Sequence, residues 1–129
     1  MDLPITTLLA SGLALWLLIL SANVIRQRGV AKVSLGDGGD ESLIRKSRAQ
    51  GNLVEYAPFM IIMVGLAEFQ NANIAVTAGL AGLFFISRLA HGYALSFSTH
   101  SPMGRGGGSL GTFISMAAMA LFNIYLMLA

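Results

Sequence analysis

The sequence predicts an all-α membrane protein, a four-transmembrane-helix bundle, and three observations predict it. Of the 129 residues, 55% are hydrophobic and only 11% are charged, where a soluble domain carries about 25% charged residues. The apolar residues fall into four blocks of roughly 17–22, each long enough to cross a ~30 Å hydrocarbon core. Short polar or glycine-rich stretches separate the blocks. Residues 1–129 are read as one domain, because four spans leave little chain for anything else. There is no cysteine, which excludes a disulfide, a thiolate metal site and a cysteine nucleophile. Any thiol chemistry needs a thiol from a ligand.

The first helix is expected over residues 3–25, a stretch without an ionisable side chain. It opens Met1-Asp2 with no basic flank, and Arg26, Arg28 and Lys32 follow it. That order predicts an uncleaved span with its N-terminus outside, not a signal peptide. Gly36-Asp37-Gly38-Gly39-Asp40 then breaks the chain. Asp40 is the expected N-cap of the second helix, with Glu41 complementing its dipole.

The second helix is expected over residues 41–69, polar first and apolar later. Pro58 lies inside it, removing one backbone hydrogen bond, as membrane helices tolerate when neighbours satisfy the freed carbonyl. At about 100° per residue, Arg45, Arg48, Asn52 and Glu55 fall within an arc of roughly 80°. A charge near a bilayer centre costs on the order of 2.5–3.5 kcal/mol on insertion scales, so this row must face protein, a water-filled cleft or a polar ligand. Lys46 suits lipid headgroups. Glu68 marks the outer end of the helix.

After the turn Gln70-Asn71-Ala72-Asn73, the third helix is expected over residues 74–97. Ala75, Gly79 and Gly82 have the close-packing spacing of membrane helix pairs. Arg88 and His91 share a face that Tyr93 does not. The segment 98–108, with His100, Pro102, Arg105 and three glycines, reads as a loop. Ser109 is the expected N-cap of the fourth helix, residues 109–128, where Gly111 and Ser115 form another small-residue edge.

All eight Lys and Arg residues then lie in inside connections or the inside halves of helices, obeying the positive-inside rule. Topology accounts for them, so no nucleic-acid partner is expected. His91 and His100 have no acidic partner at ligand spacing, so no metal site is expected.

Arginine grips carboxylate or phosphate in two-point fashion, Asn52 can donate and accept, and Glu55 suits an ammonium or amide donor. A ligand with several carboxylates, one ammonium and peptide groups fits this list. A phosphate-bearing headgroup fits the cations but uses Asn52 and Glu55 less well.

The run Arg48-Ala49-Gln50-Gly51-Asn52-Leu53-Val54-Glu55-Tyr56-Ala57-Pro58 closely resembles the RAQxNxxEYxP signature of the MAPEG family, the membrane-associated proteins in eicosanoid and glutathione metabolism. Ser87-Arg88-Leu89-Ala90-His91-Gly92-Tyr93 and a later arginine agree in order, and Ser34-Leu35-Gly36-Asp37-Gly38-Gly39 resembles its bacterial branch in particular. The resemblance implies a homotrimer of four-helix subunits in a bacterial inner membrane. Both termini would be periplasmic, and glutathione, the co-substrate, would bind between subunits near the cytoplasmic face. It implies glutathione contacts from Arg48, Asn52, Glu55 and Tyr56, with Arg45 and Arg28 as further contributors and Arg88 and His91 lining or bracing the cleft. It assigns the catalytic role to Arg105, whose cation would lower the pKa of the glutathione thiol and so favour the nucleophilic thiolate. Three departures stand out: Arg105 lies in the glycine-rich segment, its spacing from Arg88 is a residue or more long for the family, and Leu95 occupies the position of a family tyrosine. The expected function is a transferase or peroxidase acting on a lipophilic electrophile from the bilayer. The alternatives are a non-catalytic glutathione- or lipid-binding structural trimer and a small proton-coupled exporter, the last disfavoured by a first helix without a carboxylate in its span.

Overall fold

In the computed structural model, which describes residues 2–98 and 102–128, four helices follow one another: α1 (Pro4–Ala31), α2 (Glu41–Phe69), α3 (Ile74–Ser96) and α4 (Pro102–Leu128). All four are long and apolar enough to cross a membrane. They run up, down, up and down. α2 and α3 occupy the short diagonal of the bundle: each touches the other and both outer helices, whereas α1 and α4 make no contact among the described residues.

The core lies along that diagonal. Leu53, Met60 and Val64 of α2 and Phe84 of α3 are buried against Leu9, Leu13 and Leu20 of α1 and Met119 of α4. Large apolar side chains such as Leu8, Leu18, Phe59, Ile86 and Leu121 point outward. That arrangement is costly in water and natural in lipid, where the surrounding tails are as apolar as leucine.

Polar groups settle the helix ends. Asp40 caps α2 by accepting from the Leu43 amide at 2.6 Å, and Asn73 caps α3 by accepting from the Ala75 amide at 3.0 Å. α1 continues past residue 25 to Ala31, carrying Arg26 and Arg28 on the helix, and stops where Lys32 turns left-handed at φ 54°. The extra turn is possible because beyond the hydrocarbon a helix may be charged.

α4 corrects the sequence expectation at its start. It begins at Pro102, so the glycine-rich segment and Arg105 are helical and Ser109 is an interior residue rather than a cap. Each glycine costs a helix about 1 kcal/mol relative to alanine, and packing offsets the cost. A Cβ on Gly108 would stand 2.7 Å from the His91 Cβ and 2.8 Å from the Ser87 carbonyl oxygen, and one on Gly111 would strike the Ser87 hydroxyl. Only glycine lets α4 lie this close to α3. The edge of Gly111 and Ser115 is thus used within the chain's own bundle. The Gly79–Gly82 edge of α3 is not, since a Cβ at either position would meet nothing within 4 Å.

Glu68 is more than a helix end. Its carboxylate accepts from the Ile5 amide at 2.9 Å, the Thr6 amide at 2.8 Å and the Thr6 hydroxyl at 2.6 Å. It therefore supplies the cap that α1 lacks locally, where Leu3 offers no side-chain acceptor.

Candidate functional site

At the end of the bundle where α2 and α4 begin and α3 finishes, three helices surround a cavity of about 330 Å³. α2 contributes Ile44, Arg45, Arg48 and Asn52, α3 contributes His91 and Leu95, and α4 contributes Arg105. The α2 residues reach it by helical periodicity. Arg105 reaches it because α4 starts early and is seated on α3 through Gly108, one turn further on. A second hollow of about 320 Å³, lined by His91, Pro102, Arg105, Gly106 and Ser109, adjoins the first across His91 and Arg105.

The electrostatics are one-sided. Among the described residues, three guanidinium groups line the larger hollow and no carboxylate does. Glu55 stands outside the lining and pairs with Arg48, Nη1 to Oε1 at 3.5 Å, with both side chains more than half exposed. So open and long a pair contributes little on its own. The Nε of Arg45 is buried without a hydrogen-bond partner.

Behind the lining sits Arg88, only 2% exposed. Its Nη1 donates to Asn52 Oδ1 at 2.5 Å and its Nη2 to the Gly108 carbonyl at 3.3 Å. The guanidinium carbon lies 5.5 Å from the Tyr56 ring centroid and 6.0 Å from that of Phe84, within cation–π range. Among the described residues no carboxylate pairs with it. One side chain thus ties α2, α3 and α4 together directly behind the cavity. Tyr56 also meets Phe113 edge-on, with centroids 5.8 Å apart.

Of the residues expected at the site, the structure brings Arg45, Arg48, Asn52, His91 and Arg105 to one cavity. Arg88 and Tyr56 form the layer behind it, and Glu55 reaches it only through Arg48. Arg28 is elsewhere: its Nη1 donates to the Gly36 carbonyl at 2.7 Å, bracing the 32–40 connection. Tyr93 points away from the site, exposed and stacked on Phe97 at 5.6 Å. His100 lies outside the described residues. Ile44, in the lining, and Gly108, beneath it, belong to the site without being among the residues expected there. The signal for Ile44 was its place beside Arg45 on the polar face. For Gly108 it was a glycine three residues before Gly111, a spacing hidden by reading the segment as a loop.

Comparison with known proteins identifies the family of the chain. The model of the MAPEG family matches residues 6–125. The chain is 31% identical over 114 residues to the inner membrane protein YecN of Escherichia coli strain K12, covering 88% of this chain and 86% of that one. The same figures hold for YecN of Escherichia coli O6:H1. No solved structure matches the chain.

Proposed function

Because this chain belongs to the MAPEG family, we propose that it is a glutathione-dependent enzyme of the bacterial inner membrane. The inner-membrane location is that of its relative YecN. The observation that carries the proposal is the convergence of Arg45, Arg48 and Arg105 with Asn52 and His91 on one cavity without a carboxylate in its lining. The donor set fits glutathione. Arg45 and Arg48 would grip its carboxylates as two-point forks, Asn52 would meet a peptide or carboxylate oxygen, and Glu55, beside Arg48, would take the ammonium. When bound, glutathione supplies a thiol. Arg105, which α4 brings to the same cavity, would hold the sulfur as thiolate by its positive charge. His91, shared by the two hollows, would line the path to the second substrate. The expected reaction is attack by that sulfur on a lipophilic electrophile, forming a new bond to sulfur as the leaving group departs with its electron pair. Orientation by the positive-inside rule puts both termini in the periplasm and the cavity near the cytoplasmic face.

A second reading, a glutathione- or lipid-binding trimer without catalysis, is favoured by Leu95, which lines the cavity where the family places a hydroxyl. The exporter reading has no support, because α1 carries no ionisable residue from Pro4 to Ile25.

Glutathione should raise the melting temperature of the detergent-solubilised chain, and Arg48→Ala should abolish that rise. Conjugation of chlorodinitrobenzene should require Arg105, with Arg105→Ala losing turnover while retaining glutathione protection. No effect of glutathione on melting would overturn the proposal. Full protection without turnover would favour the binding trimer.

A further inference from the structure

Asn52 lines the cavity, but half of its amide is already engaged. Its Oδ1 accepts from Arg88 Nη1 at 2.5 Å. Arginine carries five donors and no acceptor, whereas a side-chain amide has an acceptor oxygen at one end and a donor nitrogen at the other. Chemistry therefore leaves the amide one orientation, with oxygen toward Arg88. Arg88 cannot retreat, since it is buried, also donates to the Gly108 carbonyl at 3.3 Å, and lies over the Tyr56 ring. The end of Asn52 left for the cavity is Nδ2. The other polar groups that α2 and α4 place in the lining are guanidiniums, which are donors as well.

We propose that Arg88 is a positioning residue that sets specificity: by engaging Asn52 Oδ1 it makes Asn52 a donor. At that point the cavity selects a ligand acceptor, a carboxylate, carbonyl or other oxyanion, and rejects an ammonium or N–H. For glutathione the inference rests on the function proposed above, and it assigns an oxygen of that ligand to Asn52.

The test uses the full chain in detergent, with binding of glutathione and of inorganic sulfate read by calorimetry and by melting temperature. Two variants are compared. In Asn52→Asp, Arg88 gains an ionic partner, so N52D should melt at or above the wild type. Yet it presents an oxygen to the ligand, and like charges brought together are strongly unfavourable. N52D should bind both anions at least about tenfold more weakly than the wild type. Asn52→Ala loses a donor without adding charge, so N52A should melt lower than N52D but bind the anions more tightly. Aspartate repels an anion even from a bracing position, so a role confined to bracing Arg88 is told apart by N52A, which would then bind both anions as the wild type does. Binding by N52D equal to or tighter than by N52A overturns the proposal. If the wild type binds sulfate but not glutathione, the glutathione function falls, and the same variant order on sulfate decides the donor assignment. If neither anion binds, the donor assignment falls too. Should N52D not fold, undiminished binding by N52A overturns the proposal, and weakened binding supports it.

Discussion

Glu68 holds the first turn of α1 by accepting from the Ile5 and Thr6 amides and the Thr6 hydroxyl. A carboxylate at the outer end of a span is easily taken as a boundary marker. Its partners lie 62 and 63 positions earlier in the chain, and no local pattern links them. The row Arg45, Arg48, Asn52 and Glu55 was legible because side chains that share a helix face betray themselves at helical spacing, and a polar face in an apolar span demands a partner. Whether Asn52 meets a ligand or Arg88 was not legible, since that depends on how α3 is rotated. Removing Glu68 leaves the first amides of α1 without acceptors near the membrane surface. Each orphaned group costs about 1–3 kcal/mol, less where interfacial water reaches it. Glu68→Ala should therefore lower the melting temperature clearly. Glu68→Gln, which keeps one acceptor oxygen, should lower it less. Equal effects of the two would show that the negative charge, and not the side chain's shape or a neutral acceptor oxygen, holds α1.

The elements were legible wherever apolar runs set them. The glycine-rich stretch at residues 36–40 does break the chain, but the glycine run at 106–108, expected to be a loop, is helical. In water a run such as Gly106-Gly107-Gly108 argues for a loop, because glycine gives up more backbone freedom than any other residue on folding. In a membrane bundle the same residue permits close approach, and close approach is what drives helices together. The two roles separate within α4. A Cβ on Gly106 or Gly107 would meet nothing within 4 Å, whereas one on Gly108 would press on the backbone of α3. Gly106→Ala and Gly107→Ala should each stabilise the protein by about 0.5–1 kcal/mol through helix propensity. Gly108→Ala should destabilise it by about 1–3 kcal/mol through overpacking and should also displace Arg105, one turn earlier, from the cavity. Thermal melting of the three variants in one detergent gives the comparison. A stable G108A would mean that α4 is not seated on α3 in this register.

In the chain as a whole, Glu55 is left poorly satisfied by the contacts within it. α2 has 29 residues, about 43 Å at 1.5 Å per residue, and Glu55 lies midway along it. With the outer end of α2 at one membrane surface, a ~30 Å core places Glu55 about 9 Å inside the hydrocarbon. Val54, Phe59 and Ile62 are likewise exposed on α2. Exposed leucines and phenylalanines are content in lipid. A carboxylate that is half exposed, with one long contact to an equally exposed arginine, is not. Burying that pair against another copy would remove it from lipid, so self-association is the expected outcome, with a homotrimer as the assembly to test. Light scattering of the detergent-purified chain, corrected for bound detergent, should give three times the 13.6 kDa of one chain. Cross-linking in native membranes should stop at the same number. Glu55→Leu should leave each subunit folded, since the side chain braces nothing in the core, yet remove glutathione protection if glutathione shares the covered face. A monomeric mass at low detergent concentration would mean that lipid headgroups or water reach Glu55 in the membrane, and the intersubunit site would fall while the four-helix subunit remained.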